Sequence, residues 1–153
     1  MSQTNELEIM ERIALDLEGV EESLASSFNT GAEDFNALIR PLSAAGGKRL
    51  RAQLCLLIAN AGTSVERQRI RIAEAVEMLH LATLIHDDVL DQAEIRRGEE
   101  TIHMHKGNKV AILSGDYLFA KAFQIVSEMP NMKYLQIFSH IITCLVEIGR
   151  AHV

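Results

Sequence analysis

The stretch over residues 77–98, EMLHLATLIHDDVLDQAEIRRG, constrains the fold more than any other part of the chain. Met78, Leu79, Leu81, Leu84, Ile85, Val89 and Leu90 form an apolar run with no helix breaker, which predicts a long, largely buried helix. That helix runs straight into Asp87, Asp88 and Asp91, and then into Arg96, Arg97 and Gly98. Aspartate is a poor helix former and opposes the negative end of the helix dipole at about 0.3–1 kcal/mol per charge. Asp87 and Asp91, at i and i+4, face the same way and repel by about 0.2–0.5 kcal/mol. A divalent cation reverses both penalties. Mg²⁺ takes one or two carboxylates, keeps several waters and completes its octahedron with phosphate oxygens. Arg96 and Arg97 suit the same phosphates, because guanidinium groups bind them bidentately. Asp87 and Asp91 are therefore candidate metal ligands, and Asp88, one helical step round, has the least defined role. A solvated acidic helix end followed by a basic loop would explain DDxxD alone, but not the buried-type helix before it and RRG after it.

With 153 residues, 48% of them hydrophobic, the chain is one domain's worth of material at most. A formal charge of −6 argues against a general nucleic-acid binder. Cys55 and Cys144 lie far apart in apolar helical stretches and read as reduced core residues of a cytoplasmic protein. No apolar run approaches the roughly 20 residues needed to cross a bilayer, and no signal peptide opens the chain, so no transmembrane segment is expected.

Along the chain, Leu7, Met10, Ile13, Leu15, Leu17, Val20 and Leu24 predict an amphipathic helix over 5–27. A turn cluster at 26–31 precedes a short helix over 34–45, interrupted by Pro41. Gly46 and Gly47 then break the chain before a helix over about 48–61, whose first turn offers amides and partial positive charge to an anion. Lys48 and Arg51 add full charges there, whereas Arg49, one step round, reads as solvated. His86 reads as a packing or hydrogen-bonding residue, and His103 and His105 as structural. A loop with one short helix follows Gly98. Helices over 109–129 and 132–146 come next, with Gly115 and Asp116 suggesting close helix contact and a buried, paired carboxylate.

HDDVLDQAEIRRG resembles the first aspartate-rich motif of the trans-polyprenyl diphosphate synthases. GGKRLR at 46–51 resembles that family's upstream diphosphate-binding motif, and residues 107–123 resemble the helix that follows, in the same order and spacing. The phrasing HLATLIHDDVLD is closest to bacterial members of the octaprenyl type. The resemblance covers about residues 25–146. It implies an all-α fold, an isoprenoid-synthase-type helical bundle around a central cavity, of which this chain is the N-terminal half. It also implies a prenyltransferase that condenses isopentenyl diphosphate with an allylic diphosphate such as farnesyl diphosphate, making a long-chain polyprenyl diphosphate for a quinone side chain, as a homodimer.

Residue by residue, the resemblance assigns Lys48, Arg51, His80 and Arg97 to isopentenyl diphosphate, Arg96 to the allylic diphosphate, Asp87 and Asp91 to Mg²⁺, and Asp87, Asp88, Asp91 and Arg96 to catalysis. Ala82 and Thr83, five and four residues before Asp87, match positions where bulky aromatics stop short products. Both are small here, which implies a longer product. Ala52 stands where the family usually has proline, with little expected consequence.

The family's second aspartate-rich motif is missing, so the chain alone is expected to be inactive. Residues 147–153, EIGRAHV, back-translate to a sequencing-adapter oligonucleotide and are expected not to be natural sequence. Two rival readings stand beside the synthase: a non-catalytic small subunit of a heteromeric synthase, which would not need DDVLD and RRG intact, and a terpene cyclase, which would not need GGKRLR.

Overall fold

The longest-buried element is α4 (Glu66–Leu90), and the other helices are arranged round it in a computed structural model that describes residues 3–29, 33–44, 48–62 and 64–150. Ala73, Ala75, Met78, Leu79, Leu81, Ala82 and Ile85 are all buried, which leaves this helix little solvent face. A helix apolar on most of its circumference must be covered by several neighbours. α1 (Gln3–Ser27), α3 (Leu50–Asn60) and α6 (Asn108–Ser127) supply that cover. α2 (Glu33–Ala44), α5 (Ile102–Lys106) and α7 (Met132–Arg150) complete the helices.

The buried stripe of α1 is Ile13, Asp16, Val20 and Leu24, a 3–4 spacing that presents one face to the core. Leu7, Met10 and Leu15, expected on that face, are instead exposed, and a carboxylate takes a place in it. Asp16 is accommodated because Arg69 of α4 meets it with two bonds, at 2.9 and 3.2 Å. Glu74, fully buried, accepts hydroxyls from Ser23 and Ser27 at 2.6 Å and is paired with Arg71. α1 is therefore joined to α4 by satisfied ionic clusters as well as by apolar contact.

α2 runs one turn past Pro41, so the expected interruption does not occur; the ring removes one amide donor without ending the helix. On α6 four of the seven buried positions are small, Ala111, Ser114, Gly115 and Ala122, which lets it approach α4 closely. A Cβ on Gly115 would overlap the His86 ring, so the expected tight crossing is present. Asp116 departs from expectation: its side chain is 60% exposed, and it lies 3.5 Å from His86 Nε2. α6 is also long and apolar enough, by length and composition, to cross a bilayer, contrary to the expectation that no run comes near that length. In this fold it packs on α4 and α5.

Between α4 and α5 the chain forms a minimal antiparallel hairpin, β1 (Ile95–Arg96) with β2 (Glu99–Glu100), in the register Ile95 to Glu100. Arg97 and Gly98 close it with φ of 54° and 87°, the double positive φ of a two-residue hairpin turn. A two-residue strand carries too little alternation to be seen in sequence.

Candidate functional site

α2, α3, α4, the hairpin and α5 enclose a cavity of about 660 Å³. Its floor is Leu81, Leu84 and Ile85 of α4, and six cations stand round it: Lys48, Arg49, Arg51, Arg96, Arg97 and Lys106. Four carboxylates share the lining, Glu77, Asp88, Glu99 and Glu100. Two of these are spent on cations, because Asp88 holds Arg96 at 2.7 Å and Glu77 lies 3.6 Å from Arg49. The six cations outnumber the four carboxylates, which gives the cavity the character of an anion site over an apolar base.

Asp88 is the inward member of the acidic trio. It is 4% exposed and orients Arg96, a definite contact for the residue whose role among the expected catalytic carboxylates was least defined. Asp87 and Asp91 sit one turn apart at the exposed end of α4, where Asp91 caps the helix and its amide bonds Asp87 O at 2.8 Å. They do not border the cavity. No group of three or more metal-ligating side chains occurs among the described residues. Two exposed carboxylates on one helical turn are a hard-oxygen pair that leaves most of an octahedron to water and phosphate, which is what Mg²⁺ takes. Ala82 is fully buried and Thr83 half-buried, its hydroxyl bonded to His80 O at 2.7 Å; neither reaches the cavity.

The expected diphosphate residues Lys48, Arg51, His80 and Arg97 do come together on the cavity wall. Arg51 donates to His80 Nε2 at 3.1 Å. A guanidinium has no acceptor, so Nε2 is the unprotonated nitrogen and the ring is neutral with its proton on Nδ1. Burial and the neighbouring Arg51 charge lower the His80 pKa from 6.5, in keeping with that tautomer.

Two expectations about α3 need correction. Its first turn does not offer a free amide array, because the Ala52 N–H is taken by Glu77 Oε1 at 3.0 Å. Arg49 is not solvated: its side chain is 9% exposed and bonds both oxygens of Glu21. Gly46 and Gly47 lie outside the described residues. Sequence reasoning also missed Glu77, His105 and Lys106 as cavity residues. Glu77 carried a readable signal, since it stands three residues before His80 and so shares its face; nothing local marks the other two. His103, as expected, has a structural contact, with Thr101 Oγ1 at 3.0 Å.

The polyprenyl synthetase family model matches residues 32–149. Chloroplastic solanesyl diphosphate synthase 1 of Arabidopsis thaliana is 34% identical over 140 residues, covering 88% of this chain and 34% of that protein. Octaprenyl diphosphate synthase of Escherichia coli K12 is 32% identical over 139 residues, 91% of this chain and 43% of that one. Among solved structures, a polyprenyl synthase from Caulobacter crescentus CB15 complexed with calcium and isoprenyl diphosphate superposes with a TM-score of 0.83 at 35% identity, over 90% of this chain and 43% of that one. The chain thus spans less than half the length of these relatives. With a helical bundle, a cationic cavity and an acidic helix end in the family's order, the chain belongs to the polyprenyl synthetase family.

Proposed function

We propose that this chain carries the isopentenyl diphosphate site and half of the allylic diphosphate site of a long-chain trans-polyprenyl diphosphate synthase. The observation that carries the reading is one helix, α4, presenting a cation-lined cavity on one side and an exposed carboxylate pair at its end. Lys48, Arg51 and Arg97 hold the diphosphate of isopentenyl diphosphate, and His80 fixes Arg51 for that contact. Asp87 and Asp91 hold Mg²⁺, which when bound neutralises charge on the allylic diphosphate. Arg96, aimed by Asp88, adds a guanidinium to the same leaving group. The allylic C–O bond breaks with its electron pair leaving on the diphosphate, the isopentenyl double bond adds to the resulting carbon, and a proton is lost to restore an alkene. Holding the two reactants together supplies much of the rate.

Thr83, half-buried, belongs to this reading as a small residue that admits a long tail, whereas Ala82, fully buried, is small where α4 is already covered. A cytoplasmic homodimer making a quinone side-chain precursor is part of it too. The free, half-buried Cys55 and Cys144 fit a reducing compartment. The small-subunit and cyclase readings are disfavoured, because the cavity keeps its full set of diphosphate cations and the relatives named above are synthases.

The test is incorporation of radiolabelled isopentenyl diphosphate, with farnesyl diphosphate and Mg²⁺, by the full-length protein. Products longer than the primer are expected, and no elongation would overturn the proposal. Lys48→Ala should raise KM for isopentenyl diphosphate by about tenfold or more, as loss of a charge-assisted phosphate contact does.

A further inference from the structure

We propose that Arg49, gripped by Glu77 of α4 and Glu21 of α1, is a positioning residue that aims Lys48 and Arg51 into the cavity. The inference rests on the diphosphate reading above and deepens it.

Arg49 caps α3 with φ 49° and ψ 36°, the left-handed region that a side-chain-bearing residue occupies at a cost unless its surroundings hold it there. The hold is visible. Nε and one terminal nitrogen fork onto the two oxygens of Glu21 at 2.5 and 3.1 Å, and the other terminal nitrogen lies 3.6 Å from Glu77 Oε2. Burial disfavours the Arg49 charge, but bonding to Glu21 and attraction to both carboxylates outweigh it, so its pKa is raised.

Glu77 completes the bracket. Its second oxygen accepts the Ala52 N–H at 3.0 Å, so one buried carboxylate ties the side chain of residue 49 and the backbone of residue 52. Lys48 is tethered separately, its carbonyl accepting from Gln53 at 2.6 Å. A carboxylate lining a cavity for a diphosphate would repel that ligand if charge were its only effect. Its placement is explained by the geometry it imposes on the two cations that flank its partners. Glu21 lies outside the cavity lining and meets the cavity wall through the bonds it accepts from Arg49.

The sign of one substitution separates these roles. Isothermal titration of the full-length protein with isopentenyl diphosphate, helicity being checked by circular dichroism, is run on the parent, Glu77→Gln, Glu21→Gln, Arg49→Gly and Lys48→Ala. Positioning predicts that Glu77→Gln weakens binding about tenfold, although a negative charge has left the cavity, matching the conformational cost of one strained residue. Glu21→Gln weakens it several-fold with the unfolding midpoint little changed. Because glycine adopts positive φ freely, adding Glu77→Gln to Arg49→Gly brings little further loss. The Cα and Cβ shifts of residue 49 leave their left-handed values in Glu77→Gln. Binding that is unchanged or tighter in both carboxylate variants, with Lys48→Ala still impaired, overturns the inference alone. A parent that does not bind, or a Lys48→Ala variant that binds as the parent does, overturns the diphosphate reading and the inference with it.

Discussion

Arg51 and His80 share a bond that exists only while the ring is neutral. Because the His80 pKa is lowered from 6.5, the folded chain resists a proton that the unfolded chain accepts. The His80 contribution to stability is therefore unchanged above 6.5 and falls as pH drops below it, levelling off under the folded-state pKa. Thermal unfolding midpoints taken from about pH 8 to about pH 5 should fall less steeply for His80→Gln than for the parent; equal slopes would remove His80 from this role. Gly115 makes a second residue-scale prediction. Its missing Cβ is occupied by the His86 ring, which is itself stacked near Phe119 with centroids 5.5 Å apart. Gly115→Ala must push ring or helix aside and should cost about 1–3 kcal/mol in urea unfolding. The small-residue signal at Gly115 was legible in sequence, whereas the exposure of Asp116 was not, since only the position of α4 decides which neighbour of that glycine faces out.

At the scale of elements, α1 owes its place to α4. The heptad-like spacing of Ile13, Val20 and Leu24 announces a helix with one buried face, yet Leu7, Met10 and Leu15 are as apolar and stay outside. The buried face is the one that also carries Asp16, whose carboxylate is matched in the core by Arg69. Removing one member of a buried pair leaves the other charge unmatched, so Asp16→Ala should lose about 3–5 kcal/mol, read as a lowered denaturation midpoint. A loss below about 1 kcal/mol would mean that the pair is solvated in solution. The hairpin works in a similar way for the site. Its Arg97–Gly98 turn folds Arg96 back over the end of α4, where Asp88 receives it eight residues away in sequence.

For the molecule as a whole, α7 shows what the described residues leave uncovered. Phe138 is buried, but Ile137, Ile141, Leu145, Val146 and Ile148 are exposed on a helix with strongly sided apolarity. A contiguous apolar face of this kind marks a contact surface or an association hazard. The 153-residue chain is accordingly expected to self-associate in analytical ultracentrifugation and to show no prenyl-transfer turnover, while Ile137→Lys with Ile141→Lys shifts it toward monomer. A monodisperse parent monomer would contradict this.

The chemical character of the protein was determined by the sequence alone. An apolar helix entering DDVLD and RRG, with GGKRLR upstream, specified the helix, the basic clusters and the family, because charge clusters at fixed helical spacing are local properties of the chain. Tertiary structure decided which charges face the cavity and which support their neighbours. Asp88 turned inward to Arg96, Arg49 was taken up by Glu21 and Glu77, Lys106 arrived on the cavity wall from α5, and Ala82 went to the core. Those pairings join partners 8 to 28 residues distant along the chain, and a side chain's exposure and pairing are set by what packs beside it, which helical periodicity alone does not encode.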